Sequence, residues 1–235
     1  HEARAELAKL QAGDEANLAA WKRLVDTTRV TLDKMYERLD IHFDEWLGES
    51  AYHDMLPGVV QRLLDENLAR VDKGAVCVFL KDLPDPKGLL PKKLKKVEAP
   101  FMVRKSDGAF GYATTDVATV LYRKSEFKAD RSVYVVDKRQ DLHFSQLFAV
   151  SAFLGIDIDF DFVSFGTILG KDGLALSTRS GGTLRLETLL DEAEEQALKK
   201  IEELREAGRL RIADEDVAEA THVIGVGAVK YADLM

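Results

Sequence analysis

Ser132-Val133-Tyr134-Val135-Val136, followed by Asp137-Lys138-Arg139-Gln140-Asp141 and then by Leu142 to Gly155, decides the fold of this chain. The β-branched and aromatic run reads as a strand of the buried parallel kind. The polar step after it brings Asp141 to where a helix cap is needed. Leu142 to Leu154 then reads as a helix, closed by Gly155 in the position that favours a left-handed residue. Downstream, Phe160 to Phe165 is a second strand. Upstream, Phe101-Met102-Val103-Arg104 is a strand and Ser106-Asp107-Gly108 a turn. Thr114 or Thr115 can cap a helix running to about Ser125, with Val117, Val120 and Leu121 on its inner face. Strand, helix, strand, helix, strand with short connections predicts an α/β fold with a parallel sheet covered by helices.

Farther from that centre the texture changes. A helical region covers Glu2 to Leu39 and breaks at Gly13-Asp14, where Asp14 caps a second helix. Ile41 to Asp44 reads as a short strand and Gly48 to Tyr52 as a loop. Pro57 opens another helix, Gly58 to Ala69, and strands follow near Val71 and at Ala75 to Leu80. Lys81 to Ala99 holds Pro84, Pro86, Gly88 and Pro91 and reads as a loop. Its Lys92, Lys93, Lys95 and Lys96 suit either a solvated face or a phosphate-touching patch. Glu187 to about Ala207, ended by Gly208, is an amphipathic helix, and a last helix runs from near Asp214 toward Asp233.

The 235 residues are 46% hydrophobic and 31% charged, with a net charge of -8. This is a globular composition with ample material for a core, and it argues against a protein that coats nucleic acid nonspecifically. The single Cys77 lies in an apolar run, so no intramolecular disulfide can form. No apolar run approaches the roughly 18 residues a membrane helix requires. With no signal peptide at its start, the chain is expected to be cytoplasmic.

In an open parallel sheet, ligands bind beyond the carboxyl ends of the strands. Three segments fall there: Asp107 to Asp116, Asp137 to Gln146, and Phe165 to Gly182. Each also admits a purely structural role. Asp116 in a first helical turn meets the helix dipole favourably without any ligand. Gln140 and His143 suit the surface of a capped helix, and the glycine-rich third segment suits a plain connection. The third segment matches neither a Walker A loop nor a GxGxxG turn. There is no His/Cys cluster of metal-site spacing and no motif pairing His143 or His222 in a nucleophilic triad.

Taken in order, four segments say more: Tyr112-Ala113-Thr114-Thr115-Asp116, Arg139 to Gln146, Ser177 to Gly182, and Gly225 to Leu234. With Gly48 to Tyr52 and Met55 to Gly58 upstream, this series closely resembles bacterial-type arginyl-tRNA synthetases, which are class I enzymes. The resemblance implies the second half of a Rossmann-like nucleotide-binding domain with an α+β insertion and a C-terminal helical region. The implied divisions are 1–48, a helical segment and strand of the catalytic domain; 49–99, the insertion; 100–182, the second half of the nucleotide domain; and 183–235, a helical region like the family's stem-contact part.

Residue by residue, the resemblance places Tyr112, Asp116 and Gln140 around the substrate arginine. The chemistry agrees, because a guanidinium is a planar fork of donors that a carboxylate can accept on both oxygens. His143 and Gln146 lie in the same motif and are candidates of lower rank. The third segment is similar to the KMSKS loop that closes on ATP. Gly166, Ile168 and Leu169 are implied near the adenine, and Ser177 and Thr178 near the nucleotide. Ala175 and Thr178 stand where the pattern has lysines, so Lys171 and Arg179 are the cations left for catalytic charge stabilisation.

The resemblance further implies L-arginine, ATP carrying Mg2+ and tRNA-Arg as partners, a monomer, no membrane, and no metal held by the protein. No His-x-Gly-His motif occurs, and the chain reads as cut at both ends. Part of an arginine–tRNA ligase, inactive alone, is therefore expected; the alternative is a noncatalytic arginine-binding module.

Overall fold

The computed structural model describes residues 6, 9, 10, 13–166 and 185–234. They belong to two compact units, His1–Glu45 with Leu176–Met235, and Trp46–Ala175.

In the first unit, Asp14 caps helix α1 (Glu15–Arg38) as expected, its carboxylate accepting from the Asn17 backbone at 3.0 Å. No residue of α1 is buried. Ile41 to Asp44 is not a strand: the described residues offer it no pairing partner, and Phe43 instead sets its ring edge-on to Tyr36. Helices α5 (Leu186–Glu206) and α6 (Val217–Leu234) pack against each other, with Leu190 and Val226 buried alongside Leu39. Arg38 at the end of α1 pairs with Asp191 at 2.7 Å and Glu194 at 3.2 Å, and His222 Nδ1 lies 3.0 Å from the same Glu194 carboxylate.

The second unit opens with a 3-10 helix, Glu49–Met55, rather than the loop expected at Gly48 to Tyr52. Burial of Tyr52 fixes that turn, which runs directly into α2 (Leu56–Asp65) with Pro57 at its start. Leu56, Val59, Val60 and Leu63 form the buried face of α2, three and four residues apart. Strands β1 (Arg70–Asp72) and β2 (Ala75–Val78) make a hairpin through Lys73 and Gly74, both at positive φ. Two left-handed residues in a two-residue loop are what a type I′ turn requires.

Strand β3 (Phe101–Arg104) pairs antiparallel with β2. It therefore belongs to this three-stranded sheet and not to the parallel series in which the alternation of elements placed it. Helix α3 (Tyr112–Ser125) begins two residues before the first threonine proposed as its cap, and Gly111 stands at the cap position. Thr114 is instead fully buried, and its hydroxyl donates to the Val103 carbonyl of β3. A buried hydroxyl needs a partner, and this one joins helix to sheet.

The parallel pair is β4 (Arg131–Asp137) and β5 (Asp159–Phe165), in register from Arg131 opposite Asp159 to Asp137 opposite Phe165. Helix α4 (Asp141–Phe153) joins them. Asp141 is its first residue and not its cap; Asp137 caps the 3-10 turn Lys138–Gln140 that leads into it. Gly155, at φ 69°, closes α4 as expected, with Gly155 donating to Ala152 and Ile156 to Ser151. That pair of bonds is the Schellman arrangement.

Tyr134, Phe144, Phe148 and Phe160 form an aromatic layer between α4 and the strands, with Phe148 and Phe160 stacked at 4.6 Å. Only one face of β4 is covered among the described residues. Ser132 and Tyr134 are buried, whereas Val133 and Val135 are exposed. This corrects the expectation of a strand buried on both faces. Cys77 is buried in β2 as a small apolar residue, and burial pushes its thiol up. Among the described residues, no helix is long and apolar enough to cross a membrane.

Candidate functional site

Three chain segments converge on one cavity of about 270 Å³, lined by Glu49, Tyr112, Thr115, Asp116, Gln140, His143 and Phe144. Each segment is the start of a helical element: the 3-10 helix at Glu49, α3 at Tyr112, and the turn and first residues of α4 at Gln140. The cavity thus lies just past the carboxyl end of β4, where sheet geometry leads a ligand site to be sought. Its volume sits near the lower end of small-molecule pockets, roughly 300 Å³, and suits a ligand of amino-acid size.

Tyr112, Asp116 and Gln140, expected together, do line one space. Tyr112 is 76% exposed, so its ring stands at the cavity rim. Asp116 is partly buried one helical turn farther along α3, because the i and i+4 positions share a face. The cavity holds two carboxylates, Glu49 and Asp116, and no lysine or arginine among its lining residues. Such a site favours a cation, and a planar one can use paired acceptors.

His143 lies in the same cavity, with Nε2 2.6 Å from Oδ2 of Asp116. Its ring is stacked on Phe101, with centroids 5.6 Å apart and planes 28° apart, and meets the Phe144 ring edge-on at 5.3 Å. Gln146 is placed elsewhere. It is buried, and its side-chain amide donates to the Ala99 carbonyl at 2.9 Å, anchoring the end of the lysine-bearing loop. That loop is also tied by Lys93 to Asp141 at 3.2 Å and by Lys95 to Asp85 at 3.6 Å. Lys92 and Lys96 are exposed.

Gly166, which directly follows β5, is described; Ile168, Leu169, Lys171, Ser177, Thr178 and Arg179 lie outside the described residues. Glu49, Thr115 and Phe144 were not anticipated as cavity residues. Glu49 has no local signature, being one more acidic residue in a polar stretch; it stood only within the Gly48 to Tyr52 segment of the family-like series, with no role attached. Among the described residues, no group of three or more His, Cys, Asp or Glu side chains is placed to hold a metal ion.

Fold and cavity together define an α/β protein with an acidic cavity beyond a parallel strand. Comparison with known proteins makes this specific. The family model described as tRNA synthetases class I (R), catalytic domain, matches residues 1–235. An arginine–tRNA ligase of Rhodopirellula baltica is 41% identical over 97% of this chain and 32% of its own length. One from Pseudomonas putida is 41% identical over 99% of this chain and 39% of its own.

The crystal structure of the arginyl-tRNA synthetase from Plasmodium falciparum superposes with a TM-score of 0.77 at 26% identity, covering 97% of this chain and 36% of that one. A putative arginyl-tRNA synthetase from Campylobacter jejuni, 12% identical with a TM-score of 0.52, covers 99% of this chain and 61% of that one and supports the fold alone. The chain belongs to the arginine-type class I tRNA synthetase catalytic-domain family. It spans about a third to two-fifths of the length of these curated relatives.

Proposed function

We propose that this chain carries the amino-acid site of an arginine–tRNA ligase, which couples L-arginine to ATP and passes the arginyl group to tRNA-Arg. The observation that supports this most is the convergence of Glu49 and Asp116 with Tyr112 and Gln140 on one cavity that, among the described residues, no lysine or arginine lines. In this reading the guanidinium enters among the carboxylates, the Tyr112 ring covers its face, and the Gln140 amide meets the polar end of the ligand. Lysine is rejected because its compact ammonium leaves fork acceptors unpaired.

ATP, carrying Mg2+, is proposed to lie past β5 near Gly166, Ile168, Leu169, Ser177 and Thr178. Lys171 and Arg179 are the proposed cations against developing phosphate charge. Activation itself is proposed to need the remainder of the ligase, acting as a monomer in the cytoplasm. The divisions at 49–99, 100–182 and 183–235 are kept as the proposed insertion, nucleotide-domain and stem-contact parts.

Calorimetry of L-arginine against L-lysine on the wild-type protein and on Asp116→Asn tests the site. Selective arginine binding that weakens on the order of a hundredfold in the variant is expected, as for a buried charge pair losing one partner. Equal affinity for both amino acids, or an unaltered variant, overturns the proposal.

A further inference from the structure

We propose that His143 is a positioning residue for Asp116, holding one carboxylate oxygen so that the other stays aimed for a cationic ligand. This deepens the arginine-site reading and rests on it.

The argument begins with the hydrogen bond. A carboxylate only accepts, so in the 2.6 Å contact the imidazole Nε2 donates to Oδ2. Both side chains are 29% exposed, which removes them from most solvent competition. Asp116 Oδ1 has no protein donor among the described residues, so one oxygen is committed and one is available.

Asp116 and His143 sit on different helices, α3 and α4, and neither helix alone would fix the carboxylate plane. The imidazole, in contrast, is fixed. Phe101 of β3 lies under its face and Phe144 against its edge, and both rings are buried. Apolar packing from β3 and α4 thus sets the donor, and the donor sets the acceptor on α3. An aspartate has two rotatable side-chain bonds, and locking them before the ligand arrives removes an ordering cost from binding.

Among the described residues, the other charged and polar groups named around the cavity make no such bond to Asp116. Glu49 and Tyr112 are exposed and line the same space from other segments, and Gln140 precedes the helix. The nearby cation Lys93 is engaged with Asp141 at the head of α4, and Arg139 is engaged with Asp137.

The test uses His143→Phe, which keeps a ring between Phe101 and Phe144 but lacks a donor, and His143→Gln, whose amide nitrogen reaches about as far as Nε2. Both are measured in the complete protein carrying this chain, by L-arginine calorimetry and by the KM for arginine and for ATP in tRNA-Arg aminoacylation. The expected result is a rise of roughly tenfold to a hundredfold in the arginine Kd and KM of His143→Phe, the size of one hydrogen bond to a charged group. The ATP KM stays at its wild-type value, and His143→Gln recovers most of the loss. Wild-type arginine affinity in His143→Phe, a His143→Gln no better than His143→Phe, or a parallel rise in both KM values overturns the inference while the arginine site stands. A wild-type protein that binds no arginine overturns both.

Discussion

A Cβ placed on Gly225 of α6 would stand 2.7 Å from the Cα of Glu194 on α5. The obstacle is backbone, which cannot swing aside as the tip of a flexible side chain can. The two helices therefore touch at a point where only a hydrogen atom fits. Gly225→Ala is expected to destabilise the α5–α6 pair by about 1–3 kcal/mol, the range for overpacking a close contact. Gly227, in the same helix, meets nothing within 4 Å. Gly227→Ala should instead be neutral or stabilising by up to ~1 kcal/mol from helix propensity. Amide hydrogen exchange along α5 and α6 reads both; equal effects of the two substitutions would contradict the close-approach account.

Thr114 joins α3 to β3 through the Val103 carbonyl. Thr114→Val keeps the shape, removes the donor and strands a buried acceptor, for an expected loss of about 1–3 kcal/mol in urea unfolding. Thr114→Ser keeps the hydroxyl and loses only a methyl, about 0.8 kcal/mol. If serine is the more damaging substitution, packing and not the hydrogen bond holds this junction.

Asp137 gives a pH signature. The Arg139 guanidinium, and then the Arg139 backbone N–H, hold its carboxyl down to about 2. A carboxyl lowered in the folded state stabilises the fold fully above the ordinary range, and that contribution fades as pH falls from 3.8 through about 2. Wild-type stability should therefore drop more steeply than that of Asp137→Asn across this window, in urea titrations taken at successive pH values. An NMR titration of Asp137 with its midpoint near the ordinary value would remove the basis for the difference.

Much of this arrangement was legible in the chain because local physics wrote it there. Asp14 before an apolar 3–4 repeat and Gly155 after one each produced the element their chemistry favours. The failures have a common origin in tertiary pairing. Phe101 to Arg104 was a strand in either sheet; nothing within it says that β2 is its neighbour. Thr114 looked like a cap because short hydroxyl side chains cap helices, but a buried carbonyl on β3 had the stronger claim. Ile41 to Asp44 had the composition of a strand and, among the described residues, no second strand beside it.

The site divides in the same way. Gln140 followed a strand end as the sheet rule requires, but Tyr112 and Asp116 were paired only by the resemblance, because the helix was expected to start after Tyr112; its start at Tyr112 puts the two on one face. Glu49 comes from a segment remote in sequence, and the His143 bond to Asp116 joins α4 to α3 beside a Phe101 ring from β3. Residues whose role depends on where another element lands carry no periodic signal of their own.

The cavity draws its walls from residues as far apart in the chain as Glu49 and Phe144. An unfolded or half-assembled chain has no such cavity, so any ligand that fits it is bound by the native state alone. Mass action then makes the ligand a thermodynamic brace for this unit: a hundredfold excess over its dissociation constant raises the unfolding free energy by about 2.7 kcal/mol. The supply of the small molecule itself would thereby set how long the folded unit survives heat or proteolysis.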